Sequence, residues 1–278
     1  MMGDGTLTPT QTRALLARLG LRPRKKLGQN FLIDGNIVRK SLELSNLQEN
    51  DTVIEIGPGL GTLTGALLKK GAKVYSIEKD ILLIKYLGDT LAASYPSHFF
   101  LSQGDAVQNP MAGFNPQSGE RFKIISNLPY AIATPWIDEV LEGSLPVSMV
   151  LMLQKEMAGR LTSMAGTKNF GAISIFLQSA YEHISRHKVS GRCFFPVPSV
   201  DSVLINLVRK KNPFIFQEKA KDKIRMIFTQ RRKQIRTLQK NYPEYKPWIE
   251  YLEASGVKAE ARPETISLEH WQKFDEYF

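Results

Sequence analysis

The sequence predicts a doubly wound α/β domain followed by a small helical domain, and three observations lead there. Five short apolar runs, at 52–56, 73–77, 99–102, 122–126 and 147–153, alternate with helix-compatible segments near 60–70, 80–94 and 133–142. That alternation is the signature of a parallel sheet with crossover helices. A glycine-rich turn, Gly57-Pro58-Gly59-Leu60-Gly61, leaves the first run and opens the first helical pattern. Beyond residue 214 the patterning is helical rather than strand-like, with Pro243, Pro247 and Pro263 as breaks.

In chain order, a helix is expected at 10–19 and a second at 34–44, the latter with Asp34 as its N-cap. The five runs then form the sheet. Residues 179–186 and 200–209 read as further strands, an antiparallel hairpin joined through Phe194-Phe195-Pro196-Val197-Pro198. Lys210-Lys211-Asn212-Pro213 reads as a linker. The expected division is a domain at 1–211, with a basic N-terminal extension, and a second, helical domain at 212–278. No internal repeat or low-complexity tract is visible.

Composition bounds the function. The chain has 278 residues, 42% hydrophobic and 23% charged, enough for one large core and a smaller one. No apolar run reaches the roughly 18 residues of a membrane helix, and no basic-then-apolar leader opens the chain, so a cytoplasmic protein is expected. Cys193 is the single cysteine, which excludes an internal disulfide and a multi-cysteine zinc site. With four histidines, no metal is expected, and the chain is expected to act as a monomer. The net charge of +10 is segregated. Residues 1–30 carry six Lys/Arg against one Asp, residues 31–208 carry 15 against 16 acids, and residues 209–278 carry 16 against 10. Basic ends around a neutral middle suit a polyanionic partner. The candidate grips on such a partner are Arg22, Arg24, Lys25 and Lys26 at one end, and Lys223, Arg231, Arg232, Lys233 and Arg236 at the other, although such side chains also solvate ordinary helix faces.

Gly57, Gly59 and Gly61 give the spacing G-x-G-x-G. A dinucleotide fingerprint would put its third glycine at position 62, which is Thr62. The spacing is that of class I S-adenosylmethionine sites, in which glycine lets the backbone approach the ligand. Glu78 lies 17 residues after Gly61, just past the second run. A carboxylate there can accept from both ribose hydroxyls of an adenosine moiety. Asp105, after the third run, is placed for the adenine of the same ligand, or for a turn cap. These features follow three successive strands and therefore share the rim of the sheet where ligands bind.

Asn127-Leu128-Pro129-Tyr130 leaves the fourth run. An exocyclic adenine amine is a poor nucleophile because its lone pair is delocalised into the ring. The Asn127 side-chain oxygen and the Leu128 carbonyl can hold the amine hydrogens and aim that lone pair. Pro129 stiffens the backbone, and Tyr130 can stack on the base. Phe194 is the candidate second stacking ring, with a place in the core as its alternative. Catalysis of this kind is mainly orientation and desolvation, and the absence of a nearby strong base counts against nothing.

Taken together, Lys26-Leu27-Gly28-Gln29-Asn30-Phe31-Leu32, the glycine loop, Glu78, Gly104-Asp105-Ala106, Asn127-Leu128-Pro129-Tyr130, Leu153-Gln154-Lys155-Glu156 and Phe194-Phe195-Pro196-Val197-Pro198-Ser199-Val200-Asp201-Ser202 resemble the small-subunit ribosomal RNA adenine N6,N6-dimethyltransferases. The match runs nearly the whole chain. The resemblance implies a class I, Rossmann-like methyltransferase domain and cofactor contacts at Asn30, Leu32, Gly57, Glu78, Asp105 and Asn127, beside Gly59 of the loop. It implies dimethylation of two adjacent adenosines near the 3′ end of small-subunit rRNA in an assembling subunit. Ser199 departs from the pattern, where that family usually carries a lysine. Two alternatives stand: the related enzymes that methylate large-subunit rRNA, and a non-catalytic assembly factor. The stretches 228–236 and 262–268 look like the small-subunit family.

Overall fold

The computed structural model describes residues 7–24 and 27–278. The chain forms two compact units, one running to Met157 and resuming over His183–Arg209, the other made of Ala158–Glu182 and Lys210–Phe278.

The first unit begins with α1 (Pro9–Arg18), whose start is written in its sequence. Thr8 and Gln11 form a reciprocal capping box, and Pro9 occupies the first turn, where its missing N–H costs nothing. A short strand β1 (Phe31–Leu32) leads into α2 (Gly35–Leu44). Asp34 caps α2 as expected, its Oδ1 accepting from the Asn36 N–H at 2.8 Å. Then come β2 (Thr52–Ile56), α3 (Thr62–Lys69), β3 (Lys73–Glu78), α4 (Ile81–Leu87) and β4 (Phe99–Gln103). Asp80 caps α4, and a short π-helical turn, Gly88–Ala92, continues it. The run closes with β5 (Phe122–Asn127), α5 (Ala133–Glu142) and β6 (Ser148–Gln154). All five expected parallel strands are present, within a residue or so of their expected bounds.

After α6 (Lys155–Leu161) and α7 (Ala172–Ala180) come β7 (Tyr181–Val189), β8 (Phe194–Phe195) and β9 (Ser202–Arg209). The seven-stranded sheet has the order β4-β3-β2-β5-β6-β9-β7. Its first five strands run parallel, and β9 lies antiparallel to β6. β7 and β9 are sheet neighbours, while the intervening β8 leaves the sheet to pair with β1. The central strands are apolar on both faces because helices cover both. Val53, Ile54, Val74, Ile124, Ile125 and Leu151 are fully buried.

The expected strand at 179–186 needs correcting at its start, because Ser179 and Ala180 end α7. This helix buries Ser174, Ile175, Phe176, Leu177, Ser179 and Ala180, so it lacks the polar stripe that marks a surface helix. Within the second unit, Phe176 stacks obliquely on Phe216 with ring centroids 5.4 Å apart. The remaining helices are α8 (Glu218–Thr229), α9 (Ile235–Asn241), α10 (Lys246–Ala254) and α11 (Leu268–Phe274). Their core is aromatic, with Trp248 against Trp271 at 5.0 Å and against Phe274 at 4.8 Å. Pro247 lies inside the first turn of α10 and starts a helix instead of breaking one.

Candidate active site

The C-terminal ends of β2, β3, β4 and β5, with the segment 27–32, line one cleft in the first unit. Its volume is about 1080 Å³ with the open mouth included. Asn30, Leu32, Gly57, Gly59, Glu78, Asp105, Asn127, Leu128, Pro129 and Tyr130 all line it. Residues scattered over a hundred positions meet because parallel strands end at the same edge of the sheet.

The glycine loop is shaped by its neighbours. Gly57 has φ +65°, and a β-carbon on it would sit 2.9 Å from Pro129 Cγ. Gly59 has φ +59°, with the Phe31 ring 3.1 Å from where its β-carbon would be. Both positions combine a left-handed backbone with a wall that a β-carbon would press on.

Glu78 is only 8% exposed. Its Oε1 accepts from the N–H groups of Lys79 at 2.8 Å and Asp80 at 2.9 Å, and its Oε2 from Gly59 at 3.3 Å. Burial pushes its pKa up, against the pull of those three donors. Asp105 accepts from Lys79 Nζ at 2.7 Å and from the Val107 N–H at 3.0 Å. The lysine, foremost, holds its carboxyl below the usual range.

Two groups of the cleft escaped the sequence reading. Lys79 directly follows Glu78 and could have been found from that position alone. Glu55 was passed over, although a lone acid within an apolar run directly before the glycine loop is itself a signal. It lines the floor of the cleft, fully buried, accepting from Thr64 Oγ1 at 2.6 Å and Ser76 Oγ at 3.4 Å. Burial raises its pKa to about 7, outweighing those hydroxyl donors.

Asn127 ends β5, and its Nδ2 donates to the Asn30 carbonyl at 3.2 Å. That bond orients the amide so that Oδ1 remains the acceptor end. Tyr130 opens a 3₁₀ turn, Tyr130–Ile132, at the cleft wall. Phe194 does not line the cleft. It is 1% exposed in the core beside Ile125, Met152 and Val189, because β8 pairs in register with β1, Leu32 opposite Phe194. The expectation of Phe194 as a stacking ring is corrected to a core position.

The basic residues divide by what they already hold. Arg22 and Arg24 are exposed, and Arg24 reaches within 3.9 Å of Asp80. Lys25 and Lys26 lie outside the described residues. In the second unit Arg232 and Lys233 are exposed in the turn between α8 and α9. Arg231 donates to the Lys168 carbonyl at 2.6 Å and lies 3.9 Å from Glu264. Arg236 pairs with Glu260 at 3.3 Å. Lys223 lies 4.6 Å from the Phe278 ring centroid and 3.7 Å from Glu244. Arg231 and Lys223 thus help to hold the second unit together.

Among the described residues, no group of three or more His, Cys, Asp or Glu is arranged to hold a metal ion. None of their helices is long and apolar enough to cross a membrane. A glycine cradle whose walls a β-carbon would press on, a buried acid at the end of β3 and a polar residue after β4 fit an adenosine-bearing donor, S-adenosylmethionine.

A family profile described as ribosomal RNA adenine dimethylase matches residues 20–278. The ribosomal RNA small subunit methyltransferase A of Opitutus terrae is 54% identical over 268 residues, 96% of this chain and 97% of that protein. A dimethyladenosine transferase from Plasmodium falciparum shares the fold, with a TM-score of 0.73 and 24% identity over 88% of this chain and 95% of that one. The 23S rRNA methyltransferase ErmE aligns with a TM-score of 0.62 and 25% identity over 89% of this chain and 99% of that one. The fold is that of class I S-adenosylmethionine-dependent methyltransferases, and the chain belongs to the ribosomal RNA adenine dimethylase family.

Proposed function

We propose that this chain dimethylates the N6 amines of two adjacent adenosines in the 3′-terminal hairpin of small-subunit rRNA, as a cytoplasmic monomer acting on an assembling subunit. Its membership of an adenine dimethylase family supplies the reaction class. The small-subunit target rests on its likeness to the relative named a small subunit methyltransferase, which covers 96% of the chain.

One observation carries the chemistry. Asn127, anchored through Nδ2 on the Asn30 carbonyl, presents its oxygen as an acceptor on the cleft. In the first transfer the Asn127 oxygen and the Leu128 carbonyl take the two amine hydrogens and turn the nitrogen lone pair out of conjugation; in the second, the one remaining hydrogen bonds to one of these acceptors. Pro129 holds that backbone, and the Tyr130 ring supports the face of the base. Bound S-adenosylmethionine supplies an electrophilic methyl group on a sulfonium sulfur. Glu78 and Asp105 grip its adenosine end, and the glycine loop admits it closely. The nitrogen becomes strongly acidic once methylated, and its proton can pass to water without a dedicated base. The rate comes from alignment and the exclusion of water.

The test is mass spectrometry of small- and large-subunit rRNA from cells lacking the chain. Loss of dimethyladenosine from the small-subunit 3′ hairpin, restored by the intact gene and not by an Asn127→Ala copy, is the expected result. Loss confined to large-subunit rRNA would overturn the assignment of target. Restoration by the Asn127→Ala copy would overturn the chemistry.

A further inference from the structure

Tyr130 carries a hydroxyl that stacking on a base does not require. That hydroxyl lies 2.5 Å from Ser202 Oγ. Ser202 is fully buried and is the first residue of β9, a strand that contributes no residue to the lining of the cleft. Its backbone is held against the end of β6. Ser202 is in register with Gln154 at the end of β6, and the neighbouring Asp201 carbonyl accepts from the Lys155 N–H at 3.0 Å. The hydroxyl that meets Tyr130 is therefore attached to a rigid part of the sheet.

We infer that Ser202 is a positioning residue for methyl transfer, pinning the far end of the Tyr130 ring so that its face is set before the target base arrives. The inference rests on the proposed role of Tyr130 as the ring that supports that base. A tyrosine ring turns on two torsions, and the second is broad. Pro129 and the 3₁₀ turn fix where the side chain begins, but not the tilt of the ring. A hydrogen bond at the para position fixes the far end of the ring axis, and because a phenolic O–H prefers the plane of its ring, a bond in a set direction also restrains the turn about that axis. Burial raises the pKa of the Tyr130 phenol, so the hydroxyl keeps its proton and the bond persists at neutral pH. A ring set beforehand costs the base no ordering when it is flipped in, which is a gain in rate at saturating RNA more than in affinity.

The test uses the full chain, unmethylated small ribosomal subunits and saturating S-adenosylmethionine, with single-turnover rates for Tyr130→Phe, Ser202→Ala, the double variant and Tyr130→Ala. Tyr130→Phe keeps the ring and deletes the hydroxyl, so it remains informative should Ser202→Ala fail to fold. Each of the two conservative changes is expected to slow methyl transfer about tenfold, the size of one neutral hydrogen bond. The subunit KM and the donor Kd should not move. The double variant should be no slower than either single, because both remove the same bond. With 2-aminopurine in place of the target adenosine, quenching by stacking should weaken in both, which a purely structural bond would not produce. Tyr130→Phe and Ser202→Ala at the parent rate, beside a slow Tyr130→Ala, would overturn the inference alone. Multiplicative effects in the double variant would also overturn it. Tyr130→Ala at the parent rate would overturn the stacking role of Tyr130 and the inference with it.

Discussion

Gly57 and Pro129 stand so close that a β-carbon on the glycine would lie 2.9 Å from Pro129 Cγ. The donor loop after β2 and the base-holding loop after β5 therefore share a wall. Gly57→Ala is doubly strained, since its φ of +65° disfavours a side chain and the new carbon pushes on the proline. The expected outcome is loss of both donor affinity and methyl-transfer rate from one methyl group. Calorimetry and single-turnover kinetics on the same preparation check it. Loss of affinity with an unchanged rate at saturating donor would show that the shared wall does not transmit the displacement.

Asn127→Ala should retain the fold and lose on the order of 10²-fold or more in rate, the usual cost of misalignment in the transition state. Asn127→Asp should fail as well, because a carboxylate cannot donate to the Asn30 carbonyl that Nδ2 now meets at 3.2 Å. Single-turnover assays with circular dichroism as the folding control decide both.

Glu78→Ala should weaken S-adenosylmethionine binding on the order of 10²-fold, from losing charge-assisted bonds to two hydroxyls. Binding to small subunits should stay within the parent range. Donor titration by calorimetry and subunit binding by filter retention separate the two, and unchanged donor affinity would remove Glu78 from the site.

Glu55 makes stability fall as pH rises. Its folded pKa of about 7 lies above the ordinary 4.5. Below the lower value both states are protonated and nothing is lost. Between the two, the folded state keeps a proton that the unfolded chain has released, so folding weakens with each step in pH. The loss across that window is roughly 3 kcal/mol. Glu55→Gln keeps an acceptor for Thr64 and should be flatter than the parent between about pH 5 and about pH 7 in urea denaturation. Parallel profiles would show that Glu55 is ionised in the folded protein at neutral pH.

Arg232 and Lys233 are the pair to neutralise for RNA binding, because Arg231 already serves the Lys168 carbonyl and Glu264. The double variant should lower the salt dependence of subunit binding by about 0.7–0.9 for each phosphate that is no longer neutralised, with thermal stability and donor affinity unchanged. Arg231→Ala should lower the melting temperature. An unaltered salt slope in the double variant would assign those side chains to solvation and turn attention to Arg22 and Arg24.

Much of the first unit was legible because its signals are local. Buried parallel strands read as apolar runs, Asp34 announces a helix start, and a G-x-G-x-G turn between strand and helix marks a donor loop. α7 escaped because a helix buried on all sides carries no periodic stripe. Phe194 was ambiguous because an aromatic beside prolines suits a core and a stacking platform equally. Only its pairing opposite Leu32 decides for the core.

The sequence alone determined what is set within a few residues: periodicity, caps, the glycines that accept positive φ, and the chemistry each loop can bring. Tertiary structure decided which of those loops meet. Asn127 finds the Asn30 carbonyl across 97 residues, and Tyr130 finds Ser202 across 72. Glu55 acquires its raised pKa only when the strands around it exclude water. Such meetings depend on the register of strands distant in the chain and on what their packing buries. No local pattern encodes either, because both are properties of the closed sheet.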